Sequence, residues 1–344
     1  MKEKDVNPEK AMKQIQKIFK KRGTKALKMA RKEILQEKLE CKEVKEALTY
    51  FMTQYWHDLA RPSLMSMVCE AVGGNPELTT PIAIPMSLIS GAIDIHDDII
   101  DQSKHKYGRP TVYGKYGKDM ALLVGDALLF KGLTLLNKAT ENGIRTEKMR
   151  IIIDIVKNMF FELGDAEALE LQFRGNLDVS PEEYLRVVRK KAADVEAHTR
   201  ISSVLGDGSQ EEIEALSEYG RLLGMLIILR DDWIDIMDFE ETRNRIKRES
   251  IPLPLIFSLQ NQNMKKEIES ILRKEKITRK DVKKILEIAC NKDNQERFRN
   301  LLRSIEEKAS RQLRRIKYST EYLELLLQSV RCILKNAEGS KSTI

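Results

Sequence analysis

Cysteine is scarce in this 344-residue chain, with Cys41, Cys69, Cys290 and Cys332 scattered at no paired spacing. That excludes a disulfide framework, and the thiols read as reduced, as expected of a cytoplasmic protein. Histidine is equally scarce. His57, His96, His105 and His198 form no pair at helical spacing, so a zinc site is not expected. Nine prolines, seventeen glycines and few β-branched runs leave little turn or strand signal. No uninterrupted apolar run approaches the ~20 residues that span a bilayer, and the lysine-rich N-terminus is unlike a signal peptide. No transmembrane segment is expected. Aromatics make up only 6%, and no nucleic-acid-binding module is present, so the net charge of +7 and the pI near 9.0 do not imply a nucleic-acid partner.

Helical periodicity is what the chain has in quantity. Apolar residues recur at i, i+3, i+4 and i+7 nearly throughout, which predicts an all-α fold in one domain over residues 1–344. Residues 1–40 form a basic N-terminal helical extension, amphipathic from residue 8 and without a single acid between Lys17 and Lys32. Further helices are expected over residues 43–59, from Arg61-Pro62 to the stop signal Gly73-Gly74-Asn75-Pro76, and from Thr80 as N-cap with Pro81 at the first helical position. Residues 102–115 read as a loop. Helices then follow over residues 118–140, 146–176, 180–205 and 211–240, and through the C-terminal third. Gly220 and Gly224, four apart, allow a neighbouring helix to approach closely.

Two acidic clusters stand out against this background. The first is Asp97, Asp98 and Asp101, and the second is Asp231, Asp232 and Asp235. Residues i and i+4 share a helix face, so Asp97 stands over Asp101 and Asp231 over Asp235. Two carboxylates ~4 Å apart repel by about 4 kcal/mol at an intermediate effective dielectric. Each cluster follows an apolar run, and carboxylates at the end of a buried helix are expensive unless a cation answers them. An all-oxygen donor set suits a hard divalent ion, above all Mg2+, which takes one or two carboxylates and leaves other positions to water and phosphate oxygens. Two such helices facing each other would hold a diphosphate between metal ions.

Around these clusters lie further strings in a fixed order: Ala71-Val72-Gly73-Gly74-Asn75-Pro76, Gly108-Arg109-Pro110-Thr111-Val112, Leu123 to Leu129, Glu183-Tyr184-Leu185 to Lys191, and Leu253-Pro254-Leu255-Ile256. Together with both acid motifs they make the chain resemble the trans-isoprenyl diphosphate synthases, the polyprenyl synthetase family, over about residues 45–336. The resemblance implies roughly a dozen helices around a deep central cavity, in a homodimer. It implies an allylic diphosphate as one substrate and isopentenyl diphosphate as the other, with about two to three Mg2+ per active site held by the six aspartates. It assigns Lys106, Arg109, Lys191 and Arg61 to the substrates, and gives Lys191 a place among the catalytic groups with the aspartates. The prenyl tail would descend from the metals along Ala92, Ile93 and Ile89. No aromatic residue interrupts residues 80–95, so a geranylgeranyl-sized or longer product is expected.

The departures from the family fall mainly on one side. Where the family has Gly-Lys-Arg-Leu-Arg-Pro, this chain has His57-Asp58-Leu59-Ala60-Arg61-Pro62. Tyr107 replaces a second arginine after the first cluster, Ser90 a histidine, Ile227-Ile228 a Phe-Gln pair and Ala192 a threonine. A late lysine has no clear match between Arg243 and Glu249. The side that would bind isopentenyl diphosphate has thus lost positive charge. A terpene cyclase, or a prenyltransferase to a non-isopentenyl acceptor, therefore stands as the alternative, with a non-catalytic subunit of a heteromeric synthase behind it.

Overall fold

The computed structural model describes residues 8–106, 108–237, 242–243, 245, 250–274 and 277–339. Its helices are α1 (Pro8–Leu35), α2 (Lys42–Tyr50), α3 (Ala60–Ala71), α4 (Thr80–Ile100), α5 (Val112–Tyr116), α6 (Lys118–Asn137), α7 (Thr146–Leu171), α8 (Pro181–Lys191), α9 (Ala193–Leu205) and α10 (Gln210–Met237). The C-terminal part adds α11 (Leu253–Leu259), α12 (Gln262–Leu272), α13 (Arg279–Ala289), α14 (Lys292–Leu313) and α15 (Glu321–Gly339). Among the described residues the strands are limited to one small antiparallel hairpin, β1 (His105–Lys106) with β2 (Arg109–Pro110). The all-α expectation is met.

Two apolar cores carry the bundle. One gathers α4, α6 and α7 around fully buried residues such as Met86, Leu88, Ile89, Leu128 and Ile152. The other surrounds α10 with α8, α14 and the C-terminal helices, through Tyr219, Leu223, Leu229, Phe298 and Ile305. α1 lies against α3, α4 and α15, and its inward residues Ala11, Ile15, Ala26 and Ala30 are buried. Residues Pro76–Ile100 are long and apolar enough to cross a membrane by composition, with a mean hydropathy of 1.4 over their most apolar 18 residues, but 67% of those 18 are buried inside the protein, as in a core helix.

Glycine decides how closely the key helices approach. A Cβ at Gly132 on α6 would lie 2.7 Å from Ile89 Cγ1 and 3.0 Å from the Pro85 carbonyl oxygen of α4. On α10, a Cβ at Gly220 would collide with Thr199, and one at Gly224 would come within 2.8 Å of Ala192 Cβ. The expected close packing at Gly220 and Gly224 is present, and its partners are α9 and the α8–α9 junction.

Several boundaries differ from the periodicity reading, each for a local reason. The helix expected over residues 43–59 ends at Tyr50, and Phe51–Tyr55 form a π-helical turn. That turn gathers Tyr50, Phe51, Tyr55 and Trp56 into ring contacts, with Phe51 and Trp56 stacked at 5.7 Å. Thr80 is not the N-cap of α4: a 3-10 turn, Pro76–Thr79, leads into it and makes Thr80 the first helical residue. The stretch expected as one helix over residues 180–205 breaks at Ala192, where α10 crosses at Gly224. Residues 102–115 are not plain loop. Thr111 Oγ1 donates to the Ser103 carbonyl and accepts from Gly114 N, folding the segment into the hairpin and α5.

Gly224→Val, which drives a branched side chain into Ala192, is expected to destabilise the protein by about 1–3 kcal/mol in urea unfolding. Gly164→Ala on α7, where a Cβ meets nothing within 4 Å, is expected to gain up to about 1 kcal/mol in the same measurement. The opposite order would show that the α8–α10 contact is loose.

Candidate active site

The first acidic cluster occupies the last turn of α4, the negative end of the helix dipole, and α4 has no base of its own in that turn. Its cations come from elsewhere. Lys106 reaches back from β1, a position set by the hairpin turn through Gly108 at φ +71. Its Nζ donates to Asp97 at 3.0 Å and pairs with Asp98 at 2.9 Å. Arg174, beyond the end of α7, donates to the Ile100 carbonyl at 2.8 Å and to Asp101 at 3.4 Å, which satisfies both the open helix end and the third carboxylate.

The second cluster lies toward the C-terminal end of α10 and is answered in the same way. Arg230 donates twice to Asp231, at 2.8 and 2.7 Å. Arg245 Nη1 bridges Asp232 at 2.8 Å and Asp235 at 2.9 Å. Tyr184 of α8 donates its hydroxyl to Asp232 at 2.6 Å. Burial nevertheless dominates: it pushes the Asp231 and Asp232 carboxyls above their ordinary range despite Arg230 and Arg245. At Asp98 burial likewise outweighs Lys106 and carries the carboxyl to about 7. At Asp97 burial is overcome by Lys106, Lys191 and Arg245 together, which hold the group below the usual carboxylate range.

The charges acting on Asp97 come from the surroundings of both clusters. Arg245, bonded to the second cluster, acts on an aspartate of the first. Lys191, the last residue of α8, completes the link. It pairs with Glu167 at 3.0 Å and with Glu170 of α7, and Ser250 also donates to Glu170. Burial raises Glu167 to about 7 in spite of Lys191. The ensemble is therefore six aspartates and two glutamates facing five cations across α4, α7, α8, α10 and the β1–β2 hairpin.

Sequence reasoning missed Glu167, Glu170, Arg174 and Arg245. The stretch containing Arg245 had no family match, and the other three lie outside the acid motifs. Tyr184 was part of a matching string, but its hydroxyl had no stated role. Other expected residues lie outside the ensemble. Arg109 donates to the Gln54 carbonyl at 2.9 Å. Arg61 is surrounded by acids: Asp58 at 2.8 Å, Asp194 at 2.7 Å and Asp94 at 3.7 Å. Trp56 donates its indole N–H to Asp94 at 2.7 Å. Ala92 and Ile89 are buried and Ile93 half-buried on α4, and Phe51 packs onto the same helix at Gly91. Ser90 is buried, with no partner for its hydroxyl among the described residues. Tyr107 lies outside them.

The donor set suits a hard cation, being all oxygen with burial opposing ionisation at Asp98, Asp231 and Asp232. Among the described residues no three His, Cys, Asp or Glu side chains enclose an ion on their own. A hard cation held by these carboxylates would complete its coordination with water and ligand oxygens.

Residues 41–289 match the sequence profile of the family described as Polyprenyl synthetase. A short chain isoprenyl diphosphate synthase of Methanothermobacter thermautotrophicus is 34% identical over 183 residues, covering 53% of this chain and 55% of that protein. A geranylgeranyl diphosphate synthase of Methanosarcina mazei is 34% identical over 188 residues, covering 54% and 57%. The chain spans a little over half the length of these two curated relatives. The crystal structure of a geranylgeranyl pyrophosphate synthetase from Pyrococcus horikoshii superposes with a TM-score of 0.79 at 24% identity, over 94% of this chain and 99% of that one, a likeness of fold.

Asp98 generates a pH prediction. Its carboxyl ionises near pH 4 in an unfolded chain and near 7 in the fold, so the folded state holds the extra proton between those values. Wild-type stability from this group accordingly falls as the pH climbs from about 4 to 7. Asp98→Asn, neutral throughout, should gain in melting temperature relative to wild type between pH 5 and 8 in metal-free buffer. A difference that shrinks over that range would overturn the assignment of Asp98 as buried against its charge.

Proposed function

We propose that this chain, which belongs to the polyprenyl synthetase family, joins an allylic prenyl diphosphate to isopentenyl diphosphate to give a prenyl diphosphate longer by one isoprene unit. The observation that carries this is the pair of aspartate clusters, each held by cations from other elements, with Arg245 bonded to the second and acting on Asp97 of the first beside Lys106 and Lys191. Asp97, Asp98, Asp101, Asp231, Asp232 and Asp235 would hold Mg2+, which when bound supplies positive charge to the departing diphosphate. Lys106, Arg174, Arg230 and Arg245 now neutralise those same carboxylates. Once released from the aspartates, Lys106 and Arg245 would grip diphosphate oxygens, and Lys191 would add a third cation from α8. The apolar residues below Asp97 on α4, including Ala92 and Ile89, exclude water from the ionised tail. We propose products of geranylgeranyl size or longer and action in the cytoplasm.

A homodimer is the assembly we propose, on the evidence of one apolar surface. Phe130 of α6 and Phe161 of α7 are 76% and 77% exposed, with Leu133 and Ile153 exposed beside a groove of about 340 Å³. Monomeric proteins rarely leave such a surface open. Light scattering is expected to return twice the 39.7 kDa chain mass, and Phe130→Glu with Phe161→Glu is expected to halve it. A wild-type monomer would remove the proposal.

The function is tested with labelled isopentenyl diphosphate, each allylic primer and Mg2+, with product length read after phosphatase treatment. Asp97→Ala and Asp231→Ala should each lower turnover by about 10²-fold or more while the circular dichroism stays helical. Near-normal turnover in either would remove that cluster from the metal site.

Arg61 bears on the acceptor. With three carboxylates around it, this guanidinium has little charge to offer a diphosphate, so a high Michaelis constant for isopentenyl diphosphate is expected. Asp58 also accepts from Ala60 N at 2.8 Å and Arg61 N at 3.2 Å at the start of α3. Asp58→Asn keeps an amide oxygen for those two backbone hydrogen bonds while removing the charge. It should lower the constant about threefold or more, with turnover unchanged. If no isopentenyl diphosphate is consumed at any concentration while an allylic diphosphate is still hydrolysed or cyclised, the acceptor is a different molecule.

A further inference from the structure

α1 separates its bases by chemistry. Between Lys10 and Lys32 it has ten bases and no acid. Its two arginines point into the protein. Arg22 bonds Ser66 at 3.0 Å, pairs with Glu70 and stacks on Tyr322 at 4.7 Å, and Arg31 donates to the Trp56 carbonyl. Its eight lysines, at positions 10, 13, 17, 20, 21, 25, 28 and 32, are all exposed. At 3.6 residues per turn they fall within about 140° of the helix surface, in a stripe about 33 Å long. Among the described residues Lys25 alone of the eight has an acidic partner, Glu77. Met29, one helical turn on from Lys25, and Leu78, next in sequence to Glu77, are 42% and 44% exposed.

We infer that this face of α1 is a docking surface for an anionic lipid bilayer. A row of exposed ammonium groups, all but Lys25 without an acidic partner among the described residues, attracts a surface rich in phosphate headgroups, each lysine adding to the attraction within a Debye length. The two exposed apolar side chains give a shallow hold at the headgroup boundary. A nucleic acid fits the same face less well, because the only aromatic residue of α1, Phe19, packs toward the core and leaves no stacking platform. A second copy of the chain is disfavoured by like charge. The inference rests on α1 and not on the reading of the active site, so either can fail without the other.

The test is co-sedimentation of the full chain with phosphatidylcholine vesicles, with and without about one third phosphatidylglycerol, at about 100 mM salt. Binding to the anionic vesicles should be at least about tenfold tighter and should weaken steeply by about 500 mM salt. Lys13→Gln, Lys17→Gln, Lys20→Gln and Lys28→Gln together should lose that binding. Helical content and melting temperature should not change, because Arg22, Arg31 and the buried face of α1 are untouched. Equal binding to neutral vesicles, insensitivity of the wild type to salt, undiminished binding by the variant, or tighter binding to duplex RNA at the same ionic strength would each overturn the inference.

Discussion

Everything around the aspartate clusters follows from placing carboxylates where a helix least tolerates them. Asp97 and Asp98 stand in the last turn of α4 and Asp101 just beyond it, at the negative end of the dipole, and the helix is largely apolar and buried from Ile82 to Ala92. Six aspartates in one enclosure require positive charge from other elements. The hairpin delivers Lys106, the end of α7 delivers Arg174, α8 delivers Lys191 and the segment after α10 delivers Arg245. The tertiary structure around the clusters can be read as the set of chain paths that brings these cations to these acids.

Close helix contact makes those paths possible. α10 can pass the α8–α9 junction only because Gly224 presents no side chain to Ala192. That crossing coincides with the end of α8 at Lys191, so the same contact that breaks the helix sets the level at which the lysine emerges. Gly125 on α6 plays a comparable part for His96, whose ring occupies the space a Cβ would take. Small residues here fix where charged ones stand.

The sequence made the framework legible because its signals are local. Helical periodicity, proline and glycine punctuation and the spacing within each acid cluster are properties of neighbouring residues, and the fold and the two clusters follow from them. The ion pairs are different. Arg61 meets Asp194 across 133 positions of sequence, and Arg174 meets Asp101 across 73. Neither partner carries a mark that names the other. Arg245 was hidden for a second reason: the stretch around it has no motif, and its role exists only because the chain folds back onto α10. The break at Ala192 also escaped, since residues on both sides keep a helical pattern and the cause lies on another helix.

The arrangement of Lys106 and Arg245 has a thermodynamic consequence. Both cations are already engaged, so whatever binds the aspartates must first displace them, and each displaced group gives up its aspartate partners until an anion arrives. A positive ligand at the carboxylates and a negative ligand at the lysine and arginine each remove the penalty facing the other. The coupling is reciprocal: the factor by which one improves the affinity of its counterpart is the factor it receives in return. A lone cation or a lone anion therefore finds a site that is internally closed, and the pair finds one that is open. When both depart, the side chains close on each other again, and the empty site competes with whatever has just left it.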